Sequence, residues 1–140
     1  MKIHIPPQFF GIPFDFDRHP QAATFDFGKG ANCQLYAYAL LSHFGRFVPP
    51  FRSSQLWEDE LHTAVVKELE PLDLVLVHDN PNAWGAHVAV CIGEDHVVHL
   101  SRKNGVPRIE TMEQLLTEPK YPFFIGAKRT RSTRDAKSVA

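Results

Sequence analysis

The spacing of apolar residues changes once along this chain, near Pro71, from a helical pattern to short strand-like runs. Before that proline, apolar side chains recur every three or four positions over residues 33–44 and 54–69, which predicts two helices. After it, short β-branched runs between turn-forming residues predict strands. The predicted strands cover residues 72–78, 86–93, 95–101 and 123–128. Helices followed by consecutive strands are typical of an α+β domain, so we predict N-terminal helices packed on a central antiparallel β-sheet.

Local signals mark the ends of the predicted helices. Asn32 is a good N-cap for the first helix, and Gly45 can end it in the left-handed conformation. Thr111 with Gln114 three residues later resembles a capping box, which predicts a further short helix through Leu116. The first helix carries a wide apolar face, so we expect it to be buried and rigid.

Length and composition predict one globular domain with irregular ends. The chain has 140 residues, of which 44% are hydrophobic and 22% are charged, so it can bury a sizeable core. Residues 1–24 are rich in Pro and Phe without periodicity, which predicts an irregular arm packed on the body. We assign residues 25–127 to the domain and residues 128–140 to a basic, flexible tail.

Charge and hydropathy narrow the classes of partner. The net charge is -1, so we expect no nucleic-acid partner, and only the basic tail leaves open a contact with nucleic acid or anionic lipid. No run is long enough to cross a membrane, and the first residues lack the pattern of a signal peptide. We therefore expect a cytoplasmic protein as encoded, with export by a signal-independent route as the alternative. The sequence carries no signal for an oligomeric state.

The two cysteines occupy positions that predict different roles. Cys33 lies in the first turn of the predicted first helix, where unpaired N–H groups and the helix dipole favour the reactive thiolate. Cys91 lies in the middle of a predicted strand and is expected to act as a small buried hydrophobic residue, without a disulfide. Cys33 is therefore the candidate nucleophile.

Two histidines on a predicted hairpin are candidate partners for this thiol. His87 begins one strand, and a tight turn near Gly93 sets it almost opposite His99 on the return strand. Cross-strand neighbours lie about 5 Å apart at Cβ, so the two imidazoles can form a hydrogen bond. If the first helix packs on this face, Cys33, His87 and His99 form a nucleophile, a base and a residue that orients the base.

Other interpretations of these residues stay open. A lone cysteine at a helix start and a histidine in a strand also occur as structural residues. A zinc site is the other chemical alternative, and its ligands would come from four histidines. These are His78, His87, His96 and His99. The zinc site is the weaker interpretation, because His96 and His99 face opposite sides of their strand and no cysteine pair accompanies them. We therefore predict no metal and no cofactor.

The order of several segments resembles the NlpC/P60 family of papain-like cell-wall cysteine peptidases. Residues 32–35 are similar to the family motif around the nucleophile, residues 87–93 to the strand that carries the base, and His99 falls where the family has its third polar residue. Three further segments are similar to the family's Pro-Arg-Ser-Ser region, its Pro-Gly-Asp-Leu-Val strand entry and the stretch after the third polar residue. They are residues 48–55, 69–75 and 105–109. The resemblance covers residues 25–127 and implies a minimal papain-like fold.

This resemblance also implies an activity. Members of the NlpC/P60 family are thiol hydrolases. By this resemblance, the chain would cleave a peptide or amide bond through a thioester intermediate. The implied substrate is a bacterial cell-wall peptide or another peptidoglycan fragment. The implied catalytic residues are Cys33, His87 and His99, with His87 deprotonating the thiol and later protonating the leaving amine. The N–H of Cys33 would stabilise the oxyanion.

The chain departs from the family pattern at positions that bear on the substrate. Asn32 and Gln34 flank the cysteine where the family has Asp and Ser, and Leu72 replaces the glycine of the Pro-Gly-Asp turn. Phe25 stands where family members often have a tyrosine that helps to line the substrate site. The candidate substrate-binding residues are Phe25, Asp26 and Trp84.

Two other functions stay open beside a cell-wall peptidase. One is an amidase or acyltransferase that uses the same residues on a substrate outside the wall. The other is a non-catalytic binding domain that retains the fold. Loss of the cysteine or the histidine would be the signature of such a domain, and this chain has both.

Overall fold

Helices and strands follow one another in the order that the sequence predicts for an α+β domain. The structure is a computed structural model and describes residues 1–131. A 3-10 turn, Pro7–Phe10, precedes the longer elements. These are α1 (Cys33–His43), α2 (Ser53–Glu58), β1 (Thr63–Val66), β2 (Leu74–His78), β3 (His87–Gly93), β4 (His96–His99), β5 (Arg108–Thr111), α3 (Met112–Thr117) and β6 (Phe123–Thr130). Across this described part, no helix is both long and apolar enough to cross a membrane.

The strands form one sheet in the order β1-β6-β2-β3-β4-β5. Every neighbouring pair is antiparallel, which confirms the predicted sheet type. Strand β3 lies near the middle, between β2 and β4, and all seven of its residues are buried. The strand that begins with His87 is therefore held rigidly on both sides.

Two hydrophobic clusters lie on opposite faces of the sheet. Helix α1 packs against β3 and β4 on the face that carries Val88 and Val90. The other face carries Ala89 and Cys91, which pack with Leu115 of α3. Cys91 is 1% exposed and its thiol is free, as predicted for a small hydrophobic residue. Alternation along β3 places the side chain of His87 on the α3 face, with Ala89 and Cys91.

The N-terminal residues are part of the core. Ile5, Phe9 and Ile12 are buried in the α1 cluster. The N–H of Ile3 donates to the carbonyl of Ile92 at 2.8 Å, which extends the pairing at the end of β3. The first residues therefore cover apolar surface that the sheet and α1 would otherwise expose.

The predicted helix over residues 54–69 begins at about the right residue but is much too long. Helix α2 ends at Glu58, and an edge strand, β1, follows it. The carboxylate of Asp59 accepts the N–H groups of His62 and Thr63, at 3.0 and 2.8 Å, and so turns the chain. Leu61 and Val65, which fit a helical period, are 63% and 58% exposed. Their helical spacing therefore arises by coincidence among exposed apolar residues, and does not mark the buried face of a helix.

The predicted basic tail starts too early. Residues 128–130 belong to β6, which pairs with β1 and β2. Lys128 is buried and donates to the carbonyl of Trp57 at 3.0 Å. Arg129 donates to both carboxylate oxygens of buried Asp73, at 2.8 and 2.9 Å. These cations stabilise the sheet. The later basic residues, Arg134 and Lys137, lie outside the described residues.

Candidate active site

Helix α1 positions the candidate nucleophile as its first residue. Asn32 caps the helix, because its Oδ1 accepts the N–H of Leu35 at 2.8 Å. At the other end, Gly45 has a φ of +79°, as predicted for a residue that ends the helix. Burial of α1 in the core fixes the direction of its N-terminus. Cys33 is therefore presented at a defined place, half-buried.

Cys33 and His87 line the same cleft, although α1 and the His87 side chain lie on opposite faces of the sheet. The condition that α1 packs on the histidine face is therefore not met. The side chains of Cys33 and His87 reach the same cleft because Cys33 begins α1 next to the start of β3. There the backbone N–H of Val88 is within hydrogen-bonding reach of the thiol. The cleft has a volume of about 670 Å³. A substrate in it would lie beside both side chains.

His87 and His99 form a buried hydrogen-bonded pair. The distance from His87 Nε2 to His99 Nδ1 is 2.9 Å, and the ring planes are 80° apart. The hairpin turns at Glu94 and Asp95 rather than at Gly93, and Val90 pairs with Val98. His99 therefore lies across from Ala89, two positions from His87. The contact is diagonal rather than directly opposite, and long side chains can bridge that separation.

A carboxylate lies behind the histidine pair. His99 Nε2 is 3.4 Å from Glu110 Oε1, and the two residues are 1% and 9% exposed. Glu110 pairs with Val97 across the β4–β5 ladder, which sets it diagonally from His99 on the same face. Both β5 and Glu110 lie outside the elements and site residues predicted above, because Arg108–Thr111 is a short edge strand without a run of apolar residues. The one signal in the sequence for this site was the polar residue Glu110 on a segment that could pair with the hairpin.

Burial keeps the central groups neutral. Burial and the neighbouring His99 hold the pKa of His87 well below 6.5. Burial also lowers the pKa of His99, although the negative charge of Glu110 acts to raise it. Burial raises the pKa of the Cys33 thiol, although backbone N–H groups of Val88 and Gln34 act in the other direction. Burial thus favours a thiol and a neutral imidazole, whereas the N–H groups at the helix N-terminus favour the thiolate.

Tyr121 forms one wall of the cleft. Its ring stacks on His87 with a centroid separation of 4.5 Å and an interplanar angle of 13°. Burial raises the pKa of its phenol, so the hydroxyl is protonated at neutral pH. No sequence signal points to Tyr121, which follows α3 in an irregular segment. The stacked ring restricts rotation of His87 and shields one side of it from water.

The structure separates the three candidate substrate-binding residues. Trp84 lines the cleft and is 74% exposed. Phe25 packs against Phe9 and Phe27, with ring separations of 6.1 and 5.0 Å. Asp26 accepts the N–H of Gly28 at 2.8 Å in a local turn. Among the described residues, the cleft lining includes Trp84 but neither Phe25 nor Asp26.

Two of the four histidines of the zinc alternative, His78 and His96, have partners apart from the His87–His99 pair. His78 Nδ1 contacts the carbonyl of Asn82, and His96 Nδ1 contacts the carbonyl of Glu94, each at 2.7 Å. Within residues 1–131, no group of three or more His, Cys, Asp or Glu side chains is placed to hold a metal ion.

Comparison with known proteins identifies the fold through structure. No protein-family model matches the chain, and no curated protein matches its sequence. A solved NlpC/P60 family protein from Bacillus cereus ATCC 10987 is similar, with a TM-score of 0.62 and 22% identity over 91% of this chain and 41% of that one. The NlpC/p60 domain of the peptidoglycan hydrolase SagA is similar at a TM-score of 0.57 and 15% identity, over 89% of this chain and 91% of that one.

The antiparallel sheet with its few helices defines an α+β protein. More particularly, the chain has the NlpC/P60 fold, as the order of its motifs predicts. It spans less than half the length of the Bacillus cereus protein.

Proposed function

We propose that this protein is a cysteine hydrolase that cleaves a peptide or amide bond with Cys33 as nucleophile and His87 as base. The observation that carries the proposal is the buried His87–His99 hydrogen bond of 2.9 Å at the cleft that Cys33 lines. A buried imidazole pair has little structural value without a task, since apolar residues fill such a position at lower cost. In a cleft with a free thiol, the pair supplies a base and the residue that orients it.

The neighbours of the two rings lead us to one choice of tautomers. Glu110 can only accept, and its Oε1 lies 3.4 Å from His99 Nε2, so we place the His99 proton on Nε2 and its lone pair on Nδ1. His99 Nδ1 then accepts the Nε2–H of His87. The free lone pair of His87 is consequently on Nδ1, the atom that would accept the thiol proton. Glu110 acts as a positioning residue in this scheme.

The proposed reaction has two steps through one thioester. His87 Nδ1 takes the proton from the thiol as Sγ attacks the carbonyl carbon, and the N–H of Cys33 stabilises the oxyanion. The C–N bond then breaks, and His87 gives its proton to the departing amine. In the second step His87 deprotonates a water that attacks the thioester. The acid leaves and Sγ recovers the proton.

The first substrate class to test is a bacterial cell-wall peptide. One protein of the same fold is described as a peptidoglycan hydrolase, which supports this choice. The cleft is open and about 670 Å³ in volume, enough for several residues of an extended peptide. A peptidoglycan fragment is therefore the proposed partner, and no cofactor enters the reaction.

The test compares wild type with Cys33→Ala on purified peptidoglycan and on a panel of short peptides. We expect new amine termini from wild type only. The matched control is Cys91→Ala, because Cys91 is buried in the α3 cluster, outside the lining of the cleft, and should leave turnover intact. Equal product from wild type and Cys33→Ala would overturn the thiol mechanism. Product from the peptides but not from peptidoglycan would overturn the cell-wall assignment and favour the alternative amidase.

Two alternatives are distinguished by the same assay. An acyltransferase would pass the acyl group to an added amine, so product would shift from acid to amide as the amine concentration rises. A non-catalytic binding domain would retain peptide affinity in Cys33→Ala and show no turnover in either form. The paired imidazoles favour catalysis over this last alternative.

A further inference from the structure

Two buried amide side chains, those of Asn32 and Gln34, flank Cys33 in the lining of the cleft. They are 6% and 4% exposed. Asn32 Nδ2 donates to Gln34 Oε1 at 3.3 Å, so the Gln34 side chain folds back past Cys33 towards residue 32. The N–H groups of a first helical turn point in the same direction, out of the helix N-terminus. The Gln34 amide therefore lies at the end of α1 towards which the N–H of Cys33 is also directed.

The cap of α1 fixes the orientation of both amides. Asn32 Oδ1 accepts the N–H of Leu35 at 2.8 Å, so the other end of the Asn32 amide is its NH2 group, Nδ2. An NH2 group can only donate, and its partner on Gln34 must therefore be the oxygen, Oε1. The NH2 group of Gln34, Nε2, is left as a donor on the side of the pair away from Asn32.

Gln34 Nε2 has no acceptor among residues 1–131. In that same part of the chain, the unpaired polar side-chain atoms that are sealed from solvent are Tyr36 Oη and His99 Nε2. Gln34 Nε2 is not one of them, so it meets solvent, and Gln34 meets solvent at the cleft. A peptide bound over Cys33 would cover this donor and displace its water. An acceptor on the peptide must then replace the water, because an unpaired donor is costly in a covered site.

We infer that Gln34 Nε2 donates to the oxyanion that forms on the substrate carbonyl, as a second donor beside the backbone N–H of Cys33. This inference rests on the proposed function only for the role of Cys33 as nucleophile. When Sγ bonds to the carbonyl carbon, negative charge develops on the oxygen directly beside Cys33. Donors that are already oriented stabilise this charge without reorganisation. Asn32 is a positioning residue in this scheme, because its hydrogen bond directs the donor end of the Gln34 amide into the cleft.

A peptide aldehyde tests the inference without any hydrolysis. The probe is acetyl-Ala-alaninal, and its reference is the matched alcohol, acetyl-Ala-alaninol. The aldehyde adds to Cys33: the Sγ–C bond forms, the thiol proton passes to the carbonyl oxygen, and no group leaves. The adduct carries an oxygen at the position of the oxyanion, whereas the alcohol binds without a bond to Sγ. The measured quantity is the dissociation constant of the alcohol divided by that of the aldehyde, with the Cys33 adduct identified by ¹³C NMR.

Gln34→Met retains the length of the side chain and removes its donor. We expect this variant to lower the ratio about fivefold to tenfold, as for the loss of one hydrogen bond from a covered site. Alkylation of Cys33 by iodoacetamide forms no oxyanion, so its rate should stay close to that of wild type. Gln8→Met is the matched control, because it makes the same substitution at an exposed position outside the cleft lining. It should leave the ratio unchanged.

Asn32→Asp separates the orientation of the Gln34 amide from its presence. Aspartate caps a helix as well as asparagine does, but both oxygens of its carboxylate accept. Gln34 would turn Nε2 towards this carboxylate and present Oε1 to the cleft, so the ratio should again fall. The iodoacetamide rate corrects for the charge added beside Cys33. In the double variant with Gln34→Met, the two losses should not add, because both act through the same amide.

Turnover gives a second measurement of the same interaction. On any peptide that wild type cleaves, Gln34→Met should lower kcat by about a hundredfold and leave KM close to its wild-type value, because the oxyanion is absent from the bound ground state. A residue that only supported the fold would not divide its effect between kcat and KM in this way.

An unchanged ratio in Gln34→Met, or an equal fall in Gln8→Met, would overturn the assignment of Gln34. A wild-type protein that forms no Cys33 adduct with the aldehyde would overturn it as well. A protein whose adduct depends on Gln34 but which cleaves nothing would retain the inference and contradict the proposed hydrolase. A protein that cleaves peptides through Cys33, with an adduct indifferent to Gln34→Met, would retain the hydrolase and contradict the inference.

Discussion

At the level of single residues, the surroundings of His87 determine its chemistry. A free imidazole titrates near neutral pH, but this one is buried between His99 and the ring of Tyr121. The hydrogen bond to His99 fixes the tautomer of His87, and the stacked ring of Tyr121 fixes its rotamer. Burial disfavours its cationic form. The sequence located both histidines, since strand alternation is a short-range rule. It could not supply Glu110 or Tyr121, because those contacts depend on how distant segments pack.

The pH dependence of the site should reflect the lowered pKa of His87. Because burial and His99 hold this pKa well below 6.5, the imidazole stays neutral and able to accept a proton in mildly acidic solution. We expect the acid limb of kcat/KM below pH 6.5, and the NMR titration of the His87 ring should have its midpoint in the same range. A His87 midpoint at or above 6.5 would contradict this electrostatic description.

Glu110 should control the tautomers of both histidines. In wild type above pH 6.5, ¹⁵N NMR should show protons on Nε2 of His87 and of His99. Glu110→Ala should give mixed tautomers and lower kcat roughly tenfold to a hundredfold, the loss expected when a buried imidazole loses a charged partner worth about 1.5–3 kcal/mol.

Glu113→Ala, which removes an exposed carboxylate from the nearby α3, is the control and should change neither measurement. A loss of kcat in Glu110→Ala with unchanged tautomers would mean that Glu110 acts on folding rather than on the orientation of the base.

At the level of elements, prediction succeeded where a local signal and burial agreed. Helix α1 has a capping residue, a terminating glycine and a buried face, and its predicted bounds match the structure to one residue. The prediction for the region after α2 was wrong because exposed apolar side chains there recur with a helical spacing. Strand β5 was missed because an edge strand needs few apolar residues. The face of the sheet on which α1 packs is a tertiary feature, which no local pattern could predict.

Leu72 holds a backbone conformation that suits glycine. Its φ is +77°, and its N–H donates to the carbonyl of Cys91 at 2.7 Å in the turn before β2. A left-handed conformation costs a residue with a Cβ about 1–2 kcal/mol. We therefore expect Leu72→Gly to be more stable than Leu72→Ala by about 1 kcal/mol, since both lose the same leucine contacts but only glycine relieves the strain.

Urea unfolding of the two variants measures this difference. The reverse order of stability is usual at an ordinary strand or helix position, where alanine is favoured. Alanine more stable than glycine at residue 72 would therefore show that the turn relaxes instead of keeping its positive φ.

At the level of the whole molecule, the sheet is stabilised by covering both of its faces. Helix α1 and the first residues cover one face, and α3 covers the other. The candidate site lies at the end of β3, where elements from both faces come close together. A rigid sheet under two packed layers is suited to keep a thiol and two imidazoles in fixed relative positions.

The N-terminal residues should contribute strongly to global stability. Phe9 is 2% exposed and contacts the rings of Phe25 and Tyr36. Phe9→Ala should lower the free energy of unfolding by about 3–5 kcal/mol, the range for a buried phenylalanine. Phe47→Ala, at a position that is 50% exposed, should cost less than about 1 kcal/mol in the same denaturation experiment. Similar losses from both substitutions would mean that residues 1–24 pack only loosely.

The site draws its cysteine from the first half of the chain and its histidines and carboxylate from the second. During synthesis, the ribosome therefore releases Cys33 well before the strands that carry the proposed base. A nascent chain would hold an isolated thiol with no imidazole to deprotonate it. Amide cleavage would become possible only when the last strand pairings close, so an unfinished or misfolded copy would be unable to attack neighbouring polypeptides.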